Sequence, residues 1–338
     1  MKILVYDDSP HFGGHQIMAC RGVTALAYTP HLDVACVIHP MNTRMAEYLT
    51  DIPAFHASGA VQQFRSLEPD IVLCIQGDIR QSIKGVKLAK RIGAECISYI
   101  ANSHGLADMG AKMGVLRDRF YQPLVNKPDR YITISERMKN RLIDRGCSKP
   151  ISVVPNGIPI PSKNSVPRKE KSIIGLIGRI EFSQKRQDFM VHTFLKYPDV
   201  FHDYHLLIVG AGPDMPKLLK TADKSERVTV LPWQDDMETV YEQIDLLVIP
   251  SRYEGVPLVM LEALARGIPV IGSACDGMLE TLPEGWLFEP ENSQALANAF
   301  YRVQQSGIDM IDAVQQKILA EHSIDLFKSN FVKVVTGT

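Results

Sequence analysis

Short apolar runs recur along the chain, separated by stretches in which apolar residues return every three or four positions. Residues 2–6 (KILVY), 32–38, 71–75, 96–100, 131–134 and 151–154 are each continuous enough to be strands buried on both faces. Helical periodicity fills 16–28, 83–92 and 136–145, and one more helix is expected between positions 38 and 71. The helix at 136–145 follows Ser135, whose hydroxyl suits an N-cap. Over 155–171 (PNGIPIPSKNSVPRKEK) proline and polar residues take over, the composition of an interdomain linker. The pattern then restarts with SIIGLIGRI at 172–180 and continues with apolar runs at 204–209, 228–231, 246–251 and 268–271. Beyond Gly285 the chain reads as mostly helical, at 293–305 and 309–320, and 324–335 is expected to cross back to the first domain. Strands alternating with helices predict an α/β protein with parallel sheets. The expected domains are 1–160, joined by a C-terminal helix at about 322–338, and 171–321.

Residues 246–272, LLVIPSRYEGVPLVMLEALARGIPVIG, form the stretch richest in chemical meaning. A buried strand leads through the loop RYEG to Pro257, which is suited to a first helical position because its missing N–H has no acceptor to satisfy there. Leu258, Leu261, Leu264 and Ala265 keep helical spacing, and Gly267 is a natural C′ residue. The loop-to-helix junction offers unpaired backbone N–H groups to an anion. Glu254 lies in the loop and Glu262 lies eight positions on, in the helix. Helical rise places the two carboxylates roughly 10 Å apart, with the helix amides between them. A diphosphate held by those amides would leave each carboxylate to accept hydroxyl hydrogen bonds from sugars at its two ends. The plainer alternative makes Glu254 a loop surface charge and Glu262 a solvated helix residue.

The order of residues in EGVPLVMLE, after PS and before ALARGIPVI, resembles the E-x7-E signature of retaining glycosyltransferases with the GT-B fold, most closely glycosyltransferase family 4. The resemblance implies two Rossmann-like domains facing each other across a cleft, with a nucleotide-sugar donor held mainly by the second. It implies that Glu254 contacts the donor sugar and Glu262 the ribose, with Gly255, Val256, Pro257 and Leu258 lining the donor site. Gly178-Arg179 with Lys185 resembles the family's G-R…K signature, whose two cations grip the diphosphate; a guanidinium fork and an ammonium both suit phosphate oxygens. Here Lys185 is followed by Arg186 rather than the common glycine, so a different loop course is expected. Gly13 and Gly14, after the first strand, match the family's glycine-rich donor or acceptor loop, though as turn chemistry they are unremarkable. His104, in ANSHG at a strand's carboxyl end, matches a histidine near the donor sugar and acceptor, with a structural histidine as the alternative. Gly210-Ala211-Gly212 lacks the third glycine of a dinucleotide fingerprint, because position 215 is Met; Gly210 is instead assigned to the donor side. Trp233 either stacks on the nucleotide base or packs in the core.

The expected reaction is retaining transfer of a hexose from a UDP- or GDP-sugar to a hydroxyl of a glycan or lipid-linked glycan. No metal or other cofactor is expected, since Arg179, Lys185 and a helix terminus supply the positive charge. Other GT-B activities, such as an epimerase or phosphorylase, or a silent nucleotide-sugar-binding partner, remain alternatives.

Composition changes this picture only in places. At 45% hydrophobic and 22% charged residues, 338 residues suit two domains that each bury a core. No apolar run approaches the ~20 residues of a membrane-spanning helix, and a strand rather than a signal peptide follows Met1-Lys2, so a cytoplasmic location is expected. The six cysteines show no C-x-x-C spacing and read as buried free thiols. Residues 80–150 hold 15 Lys and Arg against 6 Asp and Glu, and 151–338 hold 18 against 24. That asymmetry is either scattered surface charge or a basic face for an anionic acceptor or membrane. The helix with Lys84, Lys87, Lys90 and Arg91 is the expected point of peripheral membrane contact, whereas nucleic acid lacks any supporting motif.

Overall fold

A computed structural model of the protein describes residues 1–161 and 172–337; the central part of the expected linker, 162–171, lies outside the described residues. The chain forms two compact units, Met1–Gly157 with Ile324–Thr338, and Ile158–Ser323. The second unit begins before the expected position 171, because Ile158 forms a parallel bridge with Ser323 and donates its N–H to the His322 carbonyl at 2.8 Å.

The first unit runs β1 (Lys2–Asp7), α1 (Gly14–Ala27), β2 (Asp33–Ile38), α2 (Thr43–Tyr48), β3 (Ala54–His56), α3 (Ala60–Leu67), β4 (Ile71–Gln76), α4 (Ile83–Ile92), β5 (Glu95–Ile100), α5 (Gly114–Tyr121), β6 (Arg130–Thr133), α6 (Glu136–Asp144) and β7 (Ile151–Val153). Its sheet is parallel, in the order β3-β2-β1-β4-β5-β6-β7. Every residue of β4 is buried, as a continuous apolar run flanked by helices requires. Leu4, Tyr6, Phe64, Val72, Val86 and Ala89 share one core cluster, and fully burying each large side chain contributes about 1.5–3 kcal/mol. Ser135 caps α6 by accepting from Met138 N at 3.3 Å. The segment between positions 38 and 71, where one helix is expected, holds two helices with the edge strand β3 between them; three residues are too few to show an alternating pattern.

The last helix, Ile324–Thr336, belongs to this first unit. Phe331 meets Tyr99 edge-on with ring centroids 5.5 Å apart. The Arg130 guanidinium donates to the carbonyls of Val334 and Val335 (2.8 Å for the latter). That places a cation on the terminal carbonyls of a helix, where the macrodipole favours it.

The second unit runs β8 (Ser172–Ile177), α7 (Gln187–Lys196), β9 (Tyr204–Val209), α8 (Met215–Ala222), β10 (Val228–Leu231), α9 (Met237–Tyr241), β11 (Leu246–Ile249), α10 (Leu258–Ala265), β12 (Val270–Ser273), α11 (Asp276–Thr281), β13 (Leu287–Phe288), α12 (Ser293–Gln304) and α13 (Ile308–Glu321). Its parallel sheet has the order β10-β9-β8-β11-β12-β13. The two-residue β13 lies in the region expected to be mostly helical. Pro257 is the N-cap of α10 rather than its first residue, and its φ of −61° already suits the turn that follows. Gly267 closes the helix at φ +72°, the left-handed conformation foreseen for C′.

Candidate functional site

Both sheets reverse direction once. In the second unit, β8 leads outward through β9 to β10, and the chain then returns to lay β11 on the other side of β8. The loops that leave β8 and β11 therefore diverge at their carboxyl ends, the switch point where open α/β sheets bind ligands.

The loop after β8 carries Gly178, Arg179 and Lys185; the loop after β11 carries Ser251 and Glu254. Lys185 Nζ forms an ion pair with Glu254 Oε1, so two residues separated by 69 positions meet at the switch point. The Ser251 hydroxyl donates to the same oxygen at 2.7 Å. The Glu254 side chain is only 9% exposed and that of Lys185 23%. The start of α11, just past β12, joins them: the Asp276 carboxylate accepts from the Glu254 backbone N–H at 2.9 Å. Gln184 ties the first two loops together: its carbonyl accepts from Arg252 N at 2.8 Å, and its amide donates to the Tyr253 carbonyl at 3.2 Å.

Arg179 stands more open, with 56% of its side chain exposed and Glu181 Oε2 at 2.7 Å. Gln184 Oε1 accepts from it at 3.1 Å. Arg186, in the place where a glycine is common, adopts the left-handed conformation itself, φ +54° and ψ +41°. An arginine there costs about 1–2 kcal/mol relative to glycine, offset by ion pairs to Asp188 (3.1 Å) and Glu291 and by the Phe189 ring 5.7 Å away. The turn after Lys185 is thus of the glycine type without glycine.

Gly178 and Gly210 pack against each other. A Cβ on Gly210 would lie inside the van der Waals radius of the Gly178 carbonyl, and Gly178 N donates to the Val209 carbonyl at 3.0 Å. Close approach of two backbones accounts for Gly210 without any ligand. Trp233, just past β10, is 40% exposed, so of its two readings core packing is the one the structure does not support.

Helix α10 starts beyond Glu254. Val256 and Pro257 are buried at its entrance, Gly255 and Leu258 are half-buried, and the N–H groups of its first turn have no preceding carbonyl within the helix. Glu262, half-buried, accepts from Tyr241 OH at 2.6 Å. Burial first, and the Glu262 charge second, hold the Tyr241 hydroxyl well above its ordinary pKa, so it remains a donor. Arg266 stacks over the Tyr241 ring at 4.5 Å and ion-pairs with Glu238. Glu254 and Glu262 therefore sit in separate hydrogen-bond networks along one loop and helix.

In the first unit the switch point lies between β1 and β4. Gly13 is the N-cap of α1, and its N–H donates to Gln16 Oε1 at 2.8 Å; Gly14 is the first helical residue and exposed. Asp7, at the end of β1, is 1% exposed, and burial pushes its carboxyl up to about 7 despite the Ser9 N–H at 2.7 Å. His104 follows β5 as expected and is buried; its Nδ1 and backbone N–H (2.9 Å) both engage Asn102 Oδ1. Arg145 donates to the His104 carbonyl at 2.9 Å, and Asp78, Arg80, Asp118 and Tyr121 pack close around it.

Sequence reasoning missed Ser251, Asp276, Tyr241 and Asp7. Asp276 carried a usable signal, a carboxylate just past an apolar strand end. Tyr241 did not, since its helix has five residues and no visible period.

Two family models match the chain: glycosyltransferase family 4 over residues 12–160 and glycosyl transferases group 1 over residues 171–306. The chain belongs to the group 1 glycosyltransferases. The chain is 27% identical over 235 residues to the lipopolysaccharide 1,6-galactosyltransferase of Salmonella typhimurium, covering 66% of this chain and 61% of that protein. It is 30% identical over 175 residues to the UDP-Gal:alpha-D-GlcNAc-diphosphoundecaprenol alpha-1,3-galactosyltransferase of Escherichia coli, 45% of each. The chain spans about half the length of the curated relatives it matches first. Its fold is GT-B: the lipopolysaccharide outer core galactosyltransferase WaaB superposes with a TM-score of 0.74 at 20% identity, over 100% of this chain and 99% of that one. HepE of Anabaena, solved in complex with UDP-glucose, gives 0.82 at 18% identity over 100% of both.

Proposed function

We propose that the protein transfers a hexose from a UDP- or GDP-sugar to a hydroxyl of a cell-envelope glycan or lipid-linked glycan, with retention of configuration and without a metal ion. The observation that carries the reading is the Lys185–Glu254 pair at the β8/β11 switch point, beside the head of α10. A cation, a carboxylate and a helix N-terminus within one set of loops suit a diphosphate with a sugar attached. Two named relatives act on lipopolysaccharide or a lipid diphosphate, and HepE holds UDP-glucose, which supports the donor and acceptor classes.

In this reading the donor diphosphate takes the Lys185 ammonium away from Glu254 and also engages Arg179. Glu254 is thereby freed to accept from the sugar hydroxyls. Glu262 accepts from the ribose, held in position by Tyr241, and the exposed Trp233 offers a face to the base. Gly178 and residues Gly255 to Leu258 present backbone to the phosphates. As the bond from sugar C1 to the phosphate oxygen breaks, Arg179, Lys185 and the α10 amides stabilise the charge gathering on the departing diphosphate. That phosphate oxygen takes the proton of the acceptor hydroxyl, whose oxygen bonds to C1 on the face just vacated. The first unit, with the glycine turn at Gly13 and Gly14 and with His104 after β5, is assigned to the acceptor.

The test is a panel of UDP- and GDP-sugars screened by thermal shift, followed by NMR of the product made with the best donor. Stabilisation by one nucleotide-sugar, an anomeric coupling in the product like that of the donor, and turnover unchanged by EDTA are expected. Loss of activity on chelation with recovery in Mg²⁺ or Mn²⁺, or an inverted anomer, would refute the corresponding part. Tight binding without product from any glycan or lipid-linked acceptor would favour a binding-only role.

A further inference from the structure

Strands β11 and β12 are neighbours in the second sheet, so the segments leaving their carboxyl ends run side by side. The Ser251 carbonyl accepts from the Ser273 hydroxyl and from Cys275 Sγ, the latter at 3.6 Å. Glu254 N donates to the Asp276 carboxylate at 2.9 Å, and the Gly255 carbonyl accepts from Gly277 N at 2.9 Å. Residues 273–277 thus meet residues 251–255 along a seam that ends on the backbone of Glu254 and Gly255. A Cβ on Gly277 would lie 2.3 Å from the Gly255 carbonyl oxygen, so the two backbones are in contact there.

Asp276 is the costly member of this seam. It is 3% exposed, and at φ +45° it lies in the left-handed region that disfavours a residue with a Cβ. A glycine would avoid both the strain and the buried carboxylate, but it would take the acceptor away from Glu254 N. Strain and burial that persist together at one residue point to a positional demand on what that residue holds, and Asp276 holds the main chain of Glu254. The transfer chemistry supplies the demand. When the diphosphate draws Lys185 away, the exchange of partners is productive only if the Glu254 carboxylate keeps its place. Ser251 Oγ holds the side chain at 2.7 Å, Asp276 holds the backbone, and Ser251 is itself fixed by Ser273 and Cys275. Lys185, more exposed and on a flexible stem, is the partner free to move.

We infer that Asp276 is a positioning residue for the donor sugar: it fixes the Glu254 backbone so that the Glu254 carboxylate stays aimed at the sugar hydroxyls after Lys185 has moved to the diphosphate. The inference rests on the nucleotide-sugar reading of the site. It assigns Asp276 no contact with sugar or phosphate, and the residue acts through Glu254 alone. Its loss is therefore felt in the sugar half of the donor. The diphosphate and base engage Arg179, Lys185, the α10 amides and Trp233, so a free nucleoside diphosphate keeps its affinity. What Glu254 N requires is one acceptor oxygen, so a neutral amide at position 276 serves as well as the carboxylate.

The experiment measures calorimetric affinities of wild type, Asp276→Gly and Asp276→Asn for UDP-galactose, UDP-glucose and GDP-mannose, and for UDP and GDP alone. For a donor that binds wild type, Asp276→Gly should bind the nucleotide-sugar about tenfold more weakly and its free nucleoside diphosphate within about twofold of wild type. Asp276→Asn keeps an acceptor oxygen and tolerates a left-handed φ, so it should stay within about threefold of wild type for both ligands. Glycine relieves the strained backbone, so thermal unfolding should show a folded Asp276→Gly. Amide hydrogen exchange adds a reading that needs no ligand and no variant: the Glu254 N–H should be protected in wild type, and exchange faster in Asp276→Gly but not in Asp276→Asn. Wild-type affinity of Asp276→Gly for the nucleotide-sugar would overturn the inference. An equal loss for nucleotide-sugar and free diphosphate would make Asp276 merely structural, and an asparagine variant as impaired as the glycine one would exclude the hydrogen bond as the agent. An unprotected Glu254 amide in wild type would overturn it without any variant. Those results, with a donor bound by wild type, refute the positioning role alone; no binding of any donor to wild type refutes the transfer reading and this role with it.

Discussion

Replacing Lys185 separates the stability of the candidate site from its chemistry. In Lys185→Ala the Glu254 carboxylate, 9% exposed, keeps Ser251 Oγ at 2.7 Å but loses its cation. Stranding one partner of a fully buried pair costs about 3–5 kcal/mol. With Lys185 23% exposed, water reaches the pair and about 2 kcal/mol is the better figure. For a unit of this size, residues 158–323, that corresponds to a fall of about 4–8 °C in its unfolding midpoint. Turnover should fall by ~10²-fold or more, because the diphosphate loses a cation. The double variant Lys185→Met with Glu254→Gln has no stranded charge and should recover to within about 1 kcal/mol of wild type. Its turnover should stay at the level of the single variant or below. Thermal unfolding and steady-state kinetics on wild type, Lys185→Met, Glu254→Gln and the double variant give the coupling energy directly. A coupling near zero would show that the pair is not formed in solution. Recovery of turnover in the double variant would show that Lys185 serves the fold alone.

Three further outcomes are expected. Arg179→Ala, at an exposed side chain, should leave the unfolding midpoint within about 1 °C of wild type while reducing turnover by ~10²-fold or more; equal activity would place the diphosphate elsewhere. Gly210→Ala should destabilise the second unit by about 3 kcal/mol or more, because its Cβ meets the Gly178 carbonyl, and a wild-type denaturant midpoint would refute the close packing. Asp7, raised from 3.8 to about 7 by burial, is protonated in the fold but ionised in the unfolded chain between those values. The unfolded state then binds fewer protons, so stability falls as pH rises through that window and levels off above pH 7. Asp7→Asn should remove this slope and stabilise the protein at pH 8, by a few kcal/mol at most; an unchanged slope in urea unfolding across that range would exclude Asp7 as its source.

The sequence was most legible where a whole element repeats one environment. Strands buried on both faces, such as 71–76 and 204–209, are continuous apolar runs and stand within a residue of expectation. Short elements were not legible: β3 and β13 have three residues and two, too few to carry a period, and their pairing is decided by the neighbouring strand. At the site, the loop-helix order around Glu254 and Glu262 was readable because cap, apolar stripe and C′ glycine agree. Which residues those carboxylates meet was not readable. Lys185 reaches Glu254 across 69 positions through sheet order alone, and Tyr241 reaches Glu262 from a short helix. The αL turn at Arg186 ran against the local residue preference and is held by ion pairs from elsewhere in the unit. Helix α5 was missed for a related reason: its apolar residues Val115, Leu116 and Phe120 are exposed, so its pattern does not announce a core face.

The central claim, that the loops after β8 and β11 hold a nucleotide-diphosphate sugar, is tested most directly by calorimetric titration. UDP-galactose, UDP-glucose and GDP-mannose would be titrated into wild type and Lys185→Ala, with Leu116→Ser/Phe120→Ser as a control distant in sequence from those loops. The account predicts that at least one donor binds wild type and the serine variant equally, and binds Lys185→Ala about tenfold or more weakly. Equal affinity for wild type and a folded Lys185→Ala, or no binding of any of the three to wild type, would contradict it.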